Sequence, residues 1–175
     1  MNQKEVEILT EYIEANQAKL YRIAYSYTKE KEAAMDVVQE AILKAYRKIH
    51  TLKDLTSIRP WIYRIVINEA INYTKRSKNQ FCFNLEDYEF EVESKDEDFS
   101  EIIDVYTQVD KLKPKIKTVI ILRFFEDMKL EEIAMVTNTN VNTVKTRLYT
   151  GLKELRIQIE GSTENEKIKT SKGSL

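Results

Sequence analysis

Residues 130–152 read LEEIAMVTNTNVNTVKTRLYTGL. Two runs with helical spacing of apolar residues are separated by only Asn138, Thr139 and Asn140. A helical hairpin that tight has the form of a DNA-binding helix-turn-helix. Ala134 is small where the two helices must cross closely. Asn138 falls in the turn, where a left-handed backbone is needed and Asn ranks next after Gly. Asn140 suits the N-cap of the second helix. On that helix Val141, Val144, Leu148, Leu152, Leu155 and Ile159 are expected to form one apolar line. The opposite face carries Asn142, Thr143, Thr146, Arg147, Thr150 and Lys153, short hydrogen-bonding groups flanked by cations, which suits a reader of the major groove. The alternative is an ordinary amphipathic hairpin. Its solvent face would be rich in Glu and Lys, whereas residues 141–148 contain no acid.

The rest of the chain is helical in character, with three glycines and two prolines among 175 residues. A first helix is expected over about 3–28, burying Ile13, Leu20, Ile23, Ala24 and Tyr27. A second runs over about 30–49, where Ala34, Val37, Val38, Ala41, Ile42, Ala45 and Ile49 recur at helical intervals. A polar connection follows, and Pro60 sits in the first turn of a third helix running to about Arg76. From Glu86 to Glu101 nine positions are acidic against one lysine, the composition of a solvated linker. Beyond it, IIDVYTQVDKL reads as a short helix, and Pro114 opens another. The fold expected is all-α, two small helical domains joined by an acidic linker. Its divisions are residues 1–79, a linker over 80–101, a helix-turn-helix domain over 102–160, and a polar, frayed tail over 161–175.

Composition excludes several classes of function. Cys82 is the only cysteine and His50 the only histidine, which rules out an internal disulfide and Cys/His metal sites. No cofactor or metal is therefore expected. Three glycines leave no phosphate-cradling loop, so no enzymatic activity is expected either. No apolar run approaches the roughly 18 residues of a membrane span, and the N-terminus has no signal-peptide core; a cytoplasmic location follows. The net charge is −1 and the pI about 6.0. A protein that binds DNA alone usually carries a basic excess, so any basic surface here has to be local.

One such surface is legible in RPWIYRIVINEAINYTKR, residues 59–76. Ile62, Tyr63, Val66, Ile67, Ala70 and Tyr73 fall on one half of a helical wheel. Trp61, Arg64, Asn68, Asn72 and Lys75 fall on the other, with Arg76 and Lys78 just beyond. An aromatic surface with cations and amides is what holds unpaired bases against a charged backbone. Periodicity alone leaves a second reading open, in which Trp61 packs on a neighbouring helix and the amides are merely solvated.

The motifs taken together resemble those of bacterial sigma factors of the small extracytoplasmic-function type, along nearly the whole chain. KLYRIAYSYTKEKEAAMDVVQEAILKAYRKI resembles the family's D-x-V-Q-E helix through Asp36, Val38, Gln39 and Glu40. RPWIYRIVINEAINYTKR resembles its W-[LI]-Y-[RK]-I-x-x-N signature, and LKPKIKTVIILRFFEDMKLEEIAMVTNTNVNTVKTRLYTGLKEL its helix-turn-helix region. The chain departs from the family in the turn, where Thr137, Asn138 and Thr139 stand in place of the usual Leu-Gly-Ile. Two packing positions thereby become polar, which is expected to loosen the turn.

The resemblance implies roles for particular residues. Asp36, Gln39, Glu40 and Lys44 would dock on the clamp helices of the beta-prime subunit of core RNA polymerase. Asp36 and Glu40 are like charges one turn apart, a placement that a basic partner explains and solvent does not. Asn68 would contact a flipped base of the promoter −10 element, Trp61, Arg64 and Asn72 would support the unpaired strand, and Lys75, Arg76 and Lys78 would meet phosphates. Leu55 and Thr56 in the preceding loop would help form the base pocket. Asn142, Thr143, Lys145, Thr146, Arg147 and Thr150 would contact the −35 duplex, and the region of Phe124 and Phe125 would meet the beta flap, unless those rings belong to the core. The implied partners are thus core RNA polymerase, promoter DNA and an anti-sigma factor, commonly membrane-bound in that family, with no membrane insertion by this chain. The competing expectation is a stand-alone helix-turn-helix regulator with an N-terminal sensing or dimerisation domain.

Overall fold

The computed structural model describes residues 3–81 and 107–172, with side chains over 3–77 and 107–159. From Cys82 onward the expected acidic linker lies outside the described residues. Every regular element among those described is helical. They are α1 (Gln3–Thr28), α2 (Lys31–Lys48), α3 (Ile58–Phe81), α4 (Pro114–Ile120), α5 (Leu130–Thr137) and α6 (Val141–Lys172), with short 3-10 turns at Ile49–Thr51 and Leu55–Ser57. The chain divides into two compact units.

The first unit is built on α1, α2 and α3, which pack on one another in all three pairings. Leu9, Ile13, Leu20, Ile23 and Ala24 of α1 meet Ile62, Tyr63, Val66, Ile67 and Ala70 of α3 in the core. Each large side chain buried there contributes about 1.5–3 kcal/mol. The share of α2 is different: apart from Val37, its buried positions are alanines, Ala33, Ala34, Ala41 and Ala45. Small residues on that seam let the three helix backbones approach closely. Tyr27, Val38 and Ile42, expected inside, are only half-buried, because the apolar arc of each helix is narrower than the sequence pattern suggests. Thr10 and Tyr46 share a hydroxyl–hydroxyl hydrogen bond of 2.9 Å between α1 and α2. The two helices are joined by Lys29 in left-handed conformation (φ 59°), whose amide donates to the Tyr25 carbonyl at 2.9 Å.

The second unit starts with residues 107–110, which are helical, and continues into α4. Pro114 is in the first turn of α4, and Lys113 before it is extended, as a residue preceding proline must be. Lys117 is buried but paired with Asp110 at 2.9 Å. After Ile120 the helix widens into a π-helical turn, Ile121–Phe125, in which the Glu126 amide donates to the Ile121 carbonyl at 3.3 Å. The extra residue in that turn rotates Phe124 outward, leaving it 56% exposed, while Ile121 and Leu122 remain in the core. Arg123 secures the exit by donating to the Met128 carbonyl at 3.0 Å.

α6 differs from expectation in two respects. Leu152 and Ile159, expected on its apolar line, are both exposed. The buried line runs instead through Val144 and Gly151, with Leu148 and Leu155 half-buried. A Cβ added at Gly151 would stand 2.8 Å from Cγ2 of Ile116 and from Cγ1 of Ile120. The absence of a side chain is what lets α6 cross α4 there, and a search for apolar residues passes over it. The helix also continues to Lys172, past Gly161 where the sequence reading ended it. Glu and Lys at helical spacings beyond Gly161, with no proline, support that extension.

Candidate polymerase and nucleic-acid interfaces

On α2 the alanine seam fixes which side faces out. Asp36, Gln39 and Glu40 are exposed together with Met35 and Leu43. The two apolar residues were not singled out in the sequence. Their spacing, four residues either side of Gln39, makes them neighbours on one helical stripe. Large exposed apolar side chains among carboxylates and an amide have the composition of a docking surface.

Lys44 belongs to the same helix but points elsewhere. Its Nζ donates to Glu69 Oε2 of α3 at 2.5 Å and lies 3.5 Å from Glu40 Oε1. The pair lines a groove of about 310 Å³ between α2 and α3, together with Asp36, Val37, Glu40, Tyr73 and Arg76. The structure thus brings together Asp36, Glu40 and Lys44, expected at the polymerase, with Arg76, expected at DNA. Gln39 is outside this groove.

The polar half of α3 is its outer face. Arg64, Asn68, Asn72, Lys75 and Arg76 are exposed, and Trp61 is half-buried at the edge. Glu69 is the one acid of the helix. Before α3, the carboxylate of Asp54 accepts from the Thr56 amide at 2.9 Å and from the Thr56 hydroxyl at 2.6 Å. The Thr56 hydroxyl first, and then its amide, hold the Asp54 carboxyl below the usual carboxylate range. Thr56 is therefore oriented by Asp54, a residue two positions upstream whose turn-forming role was legible but not noticed. Leu55 is half-buried beside it.

In the helix-turn-helix, α5 ends with Asn138 left-handed at φ 51°. The Thr139 amide donates to the Ala134 carbonyl at 3.0 Å and the Asn138 amide to Met135 at 3.4 Å, the paired bonds of a Schellman cap. Despite its polar residues the turn is therefore closed by hydrogen bonds. Asn140 caps α6, its Oδ1 accepting from the Thr143 amide at 2.7 Å. Asn142, Lys145, Thr146 and Thr150 are exposed, and Thr143 and Arg147 are half-exposed. The hydroxyls of Thr146 and Thr150 donate to the carbonyls of Asn142 (3.0 Å) and Thr146 (2.8 Å).

Comparison with known proteins agrees with both units. Residues 12–80 match the family Sigma-70 region 2, and residues 102–155 match Sigma-70, region 4. The RNA polymerase sigma factor SigV of Bacillus subtilis is 43% identical over 139 residues, 79% of this chain and 83% of that one. The ECF RNA polymerase sigma-E factor of Haemophilus influenzae is 31% identical over 128 residues, covering 65% and 68%. Among solved structures, the sigma factor RpoE of Bartonella quintana, in complex with the anti-sigma factor NepR, superposes with a TM-score of 0.72 at 16% identity, over 86% of this chain and 96% of that one. CnrH, in complex with the cytosolic domain of CnrY, gives 0.66 at 20% identity, over 87% and 88%. These likenesses displace the stand-alone regulator. The chain belongs to the extracytoplasmic-function group of the sigma-70 family and is a promoter-specificity factor of RNA polymerase, not an enzyme.

Proposed function

We propose that the outer face of α3 holds the melted strand of the promoter −10 element. Asn68 takes a flipped base, Trp61, Arg64 and Asn72 support the strand, and Lys75 and Arg76 meet its phosphates. Leu55 and the Asp54-oriented Thr56 flank the base. The exposed stripe of α2, with Asp36, Gln39 and Glu40 between Met35 and Leu43, docks on the beta-prime clamp helices of core polymerase. The N-terminal half of α6 enters the −35 major groove through Asn142, Thr143, Lys145, Thr146, Arg147 and Thr150. Phe124, turned outward by the π-helical turn, meets the beta flap. The domain divisions at 1–79, 80–101, 102–160 and 161–175 accompany this assignment. In this reading the factor acts in the cytoplasm, where polymerase is, and an anti-sigma factor restrains it, as the anti-sigma factor NepR is bound to RpoE of Bartonella quintana.

The observation that carries the reading is the division of α3 into a packed half and an exposed half made of amides and cations. Free affinity for DNA is not required of a chain whose net charge is −1; polymerase supplies the remaining contacts. The test is transcription from purified components. Core polymerase with this factor should initiate at a cognate promoter, and Asn68→Ala should reduce open-complex formation while leaving core binding intact. Asp36→Arg should instead weaken core binding. If both variants fail at the same step, the division of roles between α2 and α3 is wrong.

A further inference from the structure

Glu69 is the single acid between Ile58 and Phe81, a helix that otherwise carries Arg59, Arg64, Lys75, Arg76 and Lys78. It follows Asn68 directly and is three residues from Asn72, so on the helix surface it borders the polar face. It lines the groove together with Arg76. A carboxylate at that place opposes any polyanion laid along Asn68 and Asn72, unless a cation cancels it. Lys44 supplies that cation. Its ammonium is 2.5 Å from Glu69 Oε2, and the Glu69 side chain is only 12% exposed, against 30% for Lys44 and 49% for Glu40. The closer and less exposed partner of Lys44 is thus on α3, not on its own helix.

We infer that Lys44 serves promoter DNA, not polymerase: it is a positioning residue that neutralises Glu69 and holds it in the groove, so that the strand-binding face of α3 presents no negative charge. Three consequences follow from the geometry. The docking stripe of α2 ends at Glu40 and Leu43. The Glu69 carboxylate stays turned into the groove only with Lys44 across from it. Loss of Lys44 alone would free a carboxylate next to the strand, whereas loss of both charges would leave the face as neutral there as it is now. The inference rests on the reading of α3 as the strand-binding helix.

The test uses the full chain with core polymerase, at a temperature well below the melting point of every variant, so that all are folded. Two affinities are measured: the factor for core, and the holoenzyme for a fluorescent non-template strand of a promoter at which it initiates. Lys44→Met should leave core affinity within about twofold and weaken strand binding about fivefold at low salt, with the loss shrinking as screening grows. Glu69→Gln alone should tighten strand binding, because Lys44 then adds an uncancelled positive charge. The double variant should return to within about twofold of the parent. A purely structural pair would change melting temperatures but not the salt dependence of strand binding by folded protein. The inference is overturned if Lys44→Met weakens core binding instead, if Glu69→Gln does not restore the strand, or if the salt dependence does not move. Asn68→Ala is the reference. If it leaves strand binding intact, the α3 reading and this inference fall together. If it weakens strand binding and Lys44→Met does not, only the role of Lys44 falls.

Discussion

Gly151 of α6 lies against Ile120 of α4 so closely that a Cβ on the glycine would be 2.8 Å from Cγ1 of the isoleucine, and equally close to Cγ2 of Ile116. Neither of those atoms is the free end of a long side chain, so relief requires the helices to part. Gly151→Ala gains about 1 kcal/mol of helix propensity and loses about 1–3 kcal/mol to overpacking. The expected net result is a destabilisation of up to about 2 kcal/mol, read by urea or thermal unfolding. A variant more stable than the parent would mean that α4 and α6 have room between them.

The caps around the turn make a paired prediction. Asn140→Ala removes the acceptor of the Thr143 amide and should cost about 1 kcal/mol, with faster hydrogen exchange confined to the first turn of α6. Asn138 already occupies a left-handed backbone, so Asn138→Gly should be neutral or stabilising. Asn138→Val should destabilise by at least 1 kcal/mol, since a β-branched residue resists that conformation.

Asp54 gives the turn before α3 a dependence on acid. Its carboxyl is held below the ordinary value by the Thr56 hydroxyl and amide, so the folded state binds its proton less readily than the unfolded chain does. The contribution to folding is therefore complete above the unfolded value, about 3.9. It is lost as the pH falls below that value and through the lower folded one. The Thr56 amide resonance should shift in that range in the parent and stay fixed in Asp54→Ala. A titration at neutral pH would contradict the assignment.

Phe124 and Phe125 should separate packing from docking. Phe124 is 56% exposed and Phe125 half-buried. Phe124→Ser should change stability by no more than about 0.5 kcal/mol while lowering transcription supported by core polymerase. Phe125→Ser should lower the melting temperature first. Equal loss of stability in both would return Phe124 to the core.

Much of this architecture was legible because helical periodicity is a local signal. The bounds of α1, the packed half of α3, the left-handed Asn138 and the Asn140 cap all follow from residues within one or two turns of one another. What escaped depends on partners distant in sequence or on missing atoms. Gly151 carries no side chain to mark a contact, so the apolar line of α6 was drawn through Leu152. The destination of Lys44 could not be read from α2, where Glu40 is the obvious neighbour; its nearer partner is 25 residues away. Met35 and Leu43 were overlooked for a related reason. Exposed apolar residues break the pattern used to find a core, so a search for buried faces passes over them.

The alanine seam of α2 has a consequence for how this helix can change. Ala33, Ala34, Ala41 and Ala45 fit α2 against its neighbours through shape, with almost no side-chain volume to exchange, so nearly any enlargement there pushes the helix away. Met35, Asp36, Gln39 and Leu43 take no part in that fit. Folding therefore tolerates little drift on one side of a single helix and places almost no restriction on the other, so the outward stripe can change its composition without disturbing the bundle that carries it.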